Sequence, residues 1–119
     1  MEDLRIETVA DAPEGVRILR LTGPFTMKTL FDFQPIVRSG DAPVTLIDLA
    51  GVPYVDSAAL GCLMGVHVSF QRLNRKYALV GVTPRLMSLF SMVGVDNFVV
   101  MYPTVEAALK ALTVISYSA

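Results

Sequence analysis

With 119 residues, the chain has the length of one domain that can bury an ordinary core without a metal or a disulfide to hold it. Ten Lys plus Arg against 11 Asp plus Glu leave a formal charge of -1, which excludes the electrostatic footprint expected of a partner for nucleic acid or an anionic membrane surface. Hydrophobic residues make up 53% and charged residues 18%, against about 45–50% and about 25% in ordinary soluble domains, so a docking face is expected to take the apolar surplus.

In chain order, Leu4 and Ile6 alternate with Arg5 and Glu7, and Asp11–Gly15 supplies turn chemistry before Val16, Ile18 and Leu19 to Leu21. An antiparallel hairpin of strands near 4–9 and 16–22 is expected. The acidic, alternating start lacks the basic and then apolar run of a secretory signal. Gly23-Pro24 stops the second strand, and Thr26 is expected to cap a helix from Met27 to Arg38. Leu30, Phe31, Phe33 and Val37 are its candidate core residues, and Pro35 is expected to kink or restart it.

After a loop over Ser39–Pro43, Val44–Leu49 is too continuously apolar for an edge and reads as a central strand. The next helix is expected from Ala58 to Asn74, with Asp56 and Ser57 at its start and Arg72, Arg75 and Lys76 at its end, the charge order that suits a helix dipole. Leu60, Leu63, Met64 and Val68 are expected to face the sheet. Ala58, Gly61, Cys62, Gly65 and Ser69 place small side chains elsewhere, against a neighbouring helix or another molecule. The nearly uncharged stretch 58–70 is shorter than the roughly 20 residues of a spanning helix, so no direct membrane insertion is expected.

Tyr77–Val82 gives another buried strand, Thr83-Pro84 caps a helix over Arg85–Val93, and Gly94 ends it. A last strand is expected over Asn97–Met101, and Pro103-Thr104 opens a helix with the apolar stripe Val105, Ala108, Leu109 and Leu112. The tail after Thr113 is expected to fray. Together these elements predict an α/β fold: one domain over 1–119 with its core at about 4–112, in which an N-terminal antiparallel hairpin and parallel strands form one mixed sheet packed with four helices.

Chemistry is sparse. Ser57 is no supported hydrolase nucleophile, because His67 lies ten residues further along the same helix, about 15 Å away, and the glycines of a nucleophile elbow are missing. One His and one Cys provide too few ligands for a metal, and no phosphate-cradling glycine loop with a lysine is present. No catalytic residue, metal or cofactor is therefore expected. The single Cys62 admits no internal disulfide and reads as a buried structural thiol of a reducing, cytoplasmic compartment. His67 reads as a satisfied helix residue. Asp56 and Ser57 admit two readings, plain helix caps or a place where an added phosphate is electrostatically welcome.

The stretch Leu46-Ile47-Asp48-Leu49-Ala50-Gly51-Val52-Pro53-Tyr54-Val55-Asp56-Ser57-Ala58-Ala59-Leu60-Gly61 resembles the central strand and Asp-Ser-x-Gly-Leu-Gly loop of STAS domains, within them the bacterial anti-sigma factor antagonists. Leu21-Thr22-Gly23, Tyr77 to Leu86 and Phe90-Ser91-Met92-Val93-Gly94-Val95 are similar to further family segments, so the resemblance covers roughly 4–112. It implies a non-enzymatic regulator that binds an anti-sigma factor, often a serine kinase, and is switched by phosphorylation and restored by a phosphatase. Carried across, Ser57 is the phosphoacceptor, Asp56 its loop partner, and Ala58, Ala59, Leu60 and Gly61 belong to the docking surface. Ala59 stands where the family usually has Gly, so a positive φ there would strain the loop and a close approach would meet an extra methyl. Pro24-Phe25-Thr26 stands where an acidic residue is common.

Two other readings fit the same residues. One is a constitutive STAS scaffold in a signalling assembly or beside a membrane transporter, with Ser57 only a cap. The other is a small-ligand or nucleotide-binding module, favoured by the apolar surplus. A homodimer is left open by the sequence.

Overall fold

The computed structural model describes residues 3–113 of the chain, so the expectation of a frayed tail lies outside the described residues. In order, the elements are β1 (Arg5–Thr8), β2 (Val16–Thr22), α1 (Leu30–Arg38), β3 (Val44–Gly51), α2 (Ser57–Arg72), β4 (Lys76–Val80), α3 (Pro84–Val93), a 3-10 turn (Val95–Asn97), β5 (Met101–Tyr102) and α4 (Val105–Thr113). The five strands form one sheet in the order β1-β2-β3-β4-β5. β1 pairs antiparallel with β2, and the remaining neighbours pair in parallel. This is the mixed α/β sheet expected from the sequence, with β3 at its centre.

The strand pattern follows from which faces are covered. Leu19 and Leu21 of β2, Ile47 and Leu49 of β3, and Tyr77 and Leu79 of β4 enter the larger core, under α1, α2 and α3. Their sequence neighbours Ile18, Leu46, Ala78 and Val80 point to the opposite face, where Ala108 of α4 closes a second core with Val105, Leu109 and Leu112 partly buried on it. Because side chains alternate across a strand, helices on both faces leave no polar side for β3, which explains an apolar run interrupted only by Thr45 and Asp48. Arg17 ties α1 to this frame, its guanidinium donating to the carbonyls of Ile36, Val37 and Ser39 at 2.9, 2.8 and 2.8 Å.

Several boundaries and two burial assignments differ from the sequence expectation; α2 and β4 both end two residues early, at Arg72 and Val80. Helix α1 starts at Leu30 and not at Met27, because Thr26 makes a turn of its own. Its carbonyl accepts from the N–H groups of Thr29 and Leu30 at 3.0 and 2.8 Å, and its hydroxyl accepts from Lys28 N–H at 3.2 Å. Phe31 is 65% exposed and does not join the core, and Pro35 lies inside α1 without ending it. On α2 the buried residues are Ala59, Leu60, Leu63, Val66 and Phe70, while Val68, expected to face the sheet, is 45% exposed. The last strand shrinks to Met101–Tyr102, because Phe98 and Val99 N–H groups fold back onto the Val95 carbonyl and prolong the preceding turn.

The caps of α3 match the sequence signals. Thr83 Oγ1 accepts from Leu86 N–H at 3.2 Å, and Gly94 ends the helix at φ +82°, a left-handed conformation that costs glycine least.

Candidate functional site

The loop from β3 into α2 is built jointly with the loop from β2 into α1. Beyond the ends of the two strands, Gly23 N–H donates to Gly51 O at 3.0 Å, Phe25 N–H to Tyr54 O at 3.0 Å, and Asp56 N–H to Phe25 O at 3.3 Å. Phe25 and Val55 thereby form a short parallel bridge that continues the sheet, and both side chains are buried. Gly23 at the start of this loop also lets the segment before β1 pass close by: it sits at φ +106°, and a Cβ there would lie 2.4 Å from the Asp3 carbonyl oxygen.

Asp56 holds the junction together. It is extended at φ -92° and ψ 179°, and its Oδ1 accepts from Ala59 N–H at 2.9 Å, the bond of an N-cap. Its Oδ2 accepts from Met27 N–H at 2.9 Å, across to the other loop. One carboxylate therefore caps α2 and pins the β2–α1 turn. No hydrogen bond among the described residues involves the Ser57 hydroxyl, and Ser57 is exposed as the first residue of α2. The two cap candidates thus separate: Asp56 is the cap, and Ser57 is left free at the positive end of the helix dipole.

The remaining candidate residues divide by burial. Gly61 is exposed and Ala58 half-buried. Ala59 is fully buried and Leu60 is 6% exposed, so the expectation that these two belong to the docking surface is corrected: they anchor the helix start from beneath. Among the described residues, Asn74 alone of the non-glycines has a positive φ, so Ala59 carries no such strain and its methyl packs into the core. Ala58, Gly61, Cys62, Gly65 and Ser69 line a groove of about 280 Å³ against Leu30, Gln34, Val37 and Arg38 of α1. The small residues of α2 thus border an open groove beside α1, and a Cβ at Gly61 or Gly65 would meet nothing within 4 Å. Cys62 is half-buried in that groove, where burial pushes its thiol up.

Two exposed apolar residues beside Ser57 escaped the sequence reading. Met27 is 61% exposed on the turn pinned by Asp56, and Tyr54 is 51% exposed three residues before Ser57. Tyr54 also borders a cleft of about 230 Å³ with Leu86, Leu89 and Met92 of α3.

His67 is satisfied, as expected. Its Nδ1 lies 2.8 Å from the Tyr77 hydroxyl, which also accepts from Val100 N–H at 3.0 Å, and its ring packs on Phe98 at 4.8 Å. Burial pushes the Tyr77 phenol from 10.0 up to about 12. Its raised value means that the unfolded chain loses the phenol proton first, so stability is full below about pH 10 and falls as pH rises towards 12. Tyr77→Phe is expected to cost about 1–2 kcal/mol near neutral pH and to remove that part of the alkaline loss, as measured by urea unfolding at a series of pH values.

The STAS domain family model matches residues 7–108. An anti-sigma-B factor antagonist of Listeria monocytogenes is 34% identical over 56 residues, 47% of this chain and 49% of that protein, so the match spans about half the length of the curated relative. An anti-sigma factor antagonist from Mycobacterium paratuberculosis has the same fold, with a TM-score of 0.78 at 22% identity over 92% of this chain and 95% of that one. The SulP transporter STAS domain from Vibrio cholerae is similar too, with a TM-score of 0.72 at 22% identity over 91% and 88% of the two chains.

Proposed function

The chain belongs to the STAS domain family, and we propose that within it this protein is an anti-sigma factor antagonist, switched by phosphorylation of Ser57. Its partner is an anti-sigma factor that is also a serine kinase. The unmodified protein docks on that factor through the Ser57 end of α2 and so frees the sigma factor. The kinase then transfers the γ-phosphoryl group of ATP to Ser57 Oγ, the hydroxyl proton leaves, and a phosphatase reverses the step. The protein contributes a surface and an acceptor hydroxyl, and no catalytic group of its own.

The observation that carries this reading is the division of labour at the junction. Asp56 satisfies both the helix start and the neighbouring loop, which leaves Ser57 exposed and structurally unemployed. A phosphate there adds about -1.5 to -2 charges beside Asp56, and the helix N-terminus offsets part of the repulsion. The fold survives while the contact surface gains negative charge. Among the described residues no helix is long and apolar enough to cross a membrane, which is compatible with a cytoplasmic partner. Calorimetry of the purified protein against the anti-sigma factor of its own genome tests the reading: a stable complex that ATP dissolves supports it, and no complex contradicts it.

The likeness to a transporter STAS domain favours one other reading, a constitutive scaffold. Recovery of one stable partner by the wild type and by Ser57→Asp alike would favour it.

A further inference from the structure

Ser57 cannot be offered to a kinase as an extended peptide, because it is already the first residue of a 16-residue helix. The segment before it is also bound to the β2–α1 loop at Tyr54 and Asp56. Whatever phosphorylates Ser57 must therefore read the folded surface around it. Between Pro53 and Met64 the only side chain charged at neutral pH is that of Asp56, whose two oxygens both accept from backbone N–H groups, while Lys28 is exposed next to Met27 and Arg85 lines the cleft that Tyr54 borders. The same surface carries two large apolar side chains. Met27 is held next to Asp56 by the bond to its N–H and is 61% exposed, and Tyr54, whose carbonyl binds Phe25 N–H, is 51% exposed. Leu30 N–H returns to the Thr26 carbonyl with α-helical spacing, so the turn leads directly into α1.

We propose that Met27 and Tyr54, delivered beside Ser57 by two different loops, are the anchors by which the anti-sigma factor kinase recognises this protein. The proposal rests on the reading of the Ser57 loop given above and names the chemistry of its partner: an apolar surface beside the kinase's phosphate-transfer site, with pockets for an unbranched thioether and a phenol. Met and Tyr suit the role because both bring large contact area that a partner can desolvate. The anchors are 27 residues apart in sequence, so recognition depends on the Asp56–Met27 bond for its geometry and not on a linear motif.

The test measures affinity for the anti-sigma factor by calorimetry, with full-length Met27→Ala, Tyr54→Ala and, as a control, Leu73→Ala, which is 62% exposed at the far end of α2. Each anchor variant should bind about tenfold or more weakly with an unchanged melting temperature, and Leu73→Ala should bind as the wild type does. Wild-type binding that survives in both anchor variants overturns the anchors while leaving the antagonist reading intact. Absence of binding by the wild type overturns the antagonist reading and the anchors with it.

Discussion

Ser57→Asp is expected to lower the affinity for the anti-sigma factor by about a hundredfold, close to 3 kcal/mol, with no loss of stability. The two halves of that result have separate causes. The hydroxyl makes no hydrogen bond among the described residues, so the fold loses nothing when it is replaced. An acid at the first position of a helix is favoured by the dipole, by a few tenths of a kcal/mol at an exposed site. Docking is different, because a partner that covers the helix end must strip water from the new carboxylate, and its own surface was matched to a neutral hydroxyl. Ser57→Ala should keep the affinity and lose the capacity to be phosphorylated. Calorimetry and thermal melts on the three proteins check both halves, and an unchanged affinity in Ser57→Asp would mark Ser57 as a residue without a switching role.

Asp56→Ala is expected to have the largest effect on the fold around the site, about 2–3 kcal/mol. Loss of an N-cap alone costs typically about 1 kcal/mol. Here the same substitution also leaves Met27 N–H without its acceptor and unties the two loops, which adds a second cost of similar size. For a domain of this length the melting temperature should fall by roughly 5–15 °C. Asp56→Asn separates the contributions. Asn caps a helix as well as Asp does, but its amide can present only one oxygen, so one of the two N–H groups faces a donor. About half the loss is expected. A variant Asp56→Ala as stable as the wild type would show that the carboxylate bridge holds nothing.

Most of the architecture was legible because it follows from local rules. The apolar run of β3, the Thr83-Pro84 start of α3, Gly94 at its end and the Val105–Leu112 stripe of α4 each carry their own signal, and each appears where that signal placed it. The misses arise where a distant contact decides. Thr26 has the composition of a cap, but the bridge between Phe25 and Val55 fixes the backbone before it and turns it into a separate loop. Phe31 and Val68 sit one step off the buried stripe of their helices, and apolarity alone gave no sign of that. At the site, Asp56 and Ser57 were equivalent cap candidates in sequence. Only the second acceptor bond, to Met27 N–H 29 residues away, shows why the carboxylate belongs in the first position and the hydroxyl is spare. Ala59 looked like a liability beside the family's glycine, and burial of its methyl removes that concern.

In the proposed switch, Ser57 is the free acceptor of a phosphoryl group while Asp56 keeps the loop in place. Incubation of the full chain with ATP and the anti-sigma factor kinase, followed by intact mass and fragment-ion mapping, tests it most directly. The expected result is the mass of one phosphate, localised to Ser57 and absent from Ser57→Ala. An unmodified protein recovered from an active kinase, or a phosphate on any other residue, would contradict it.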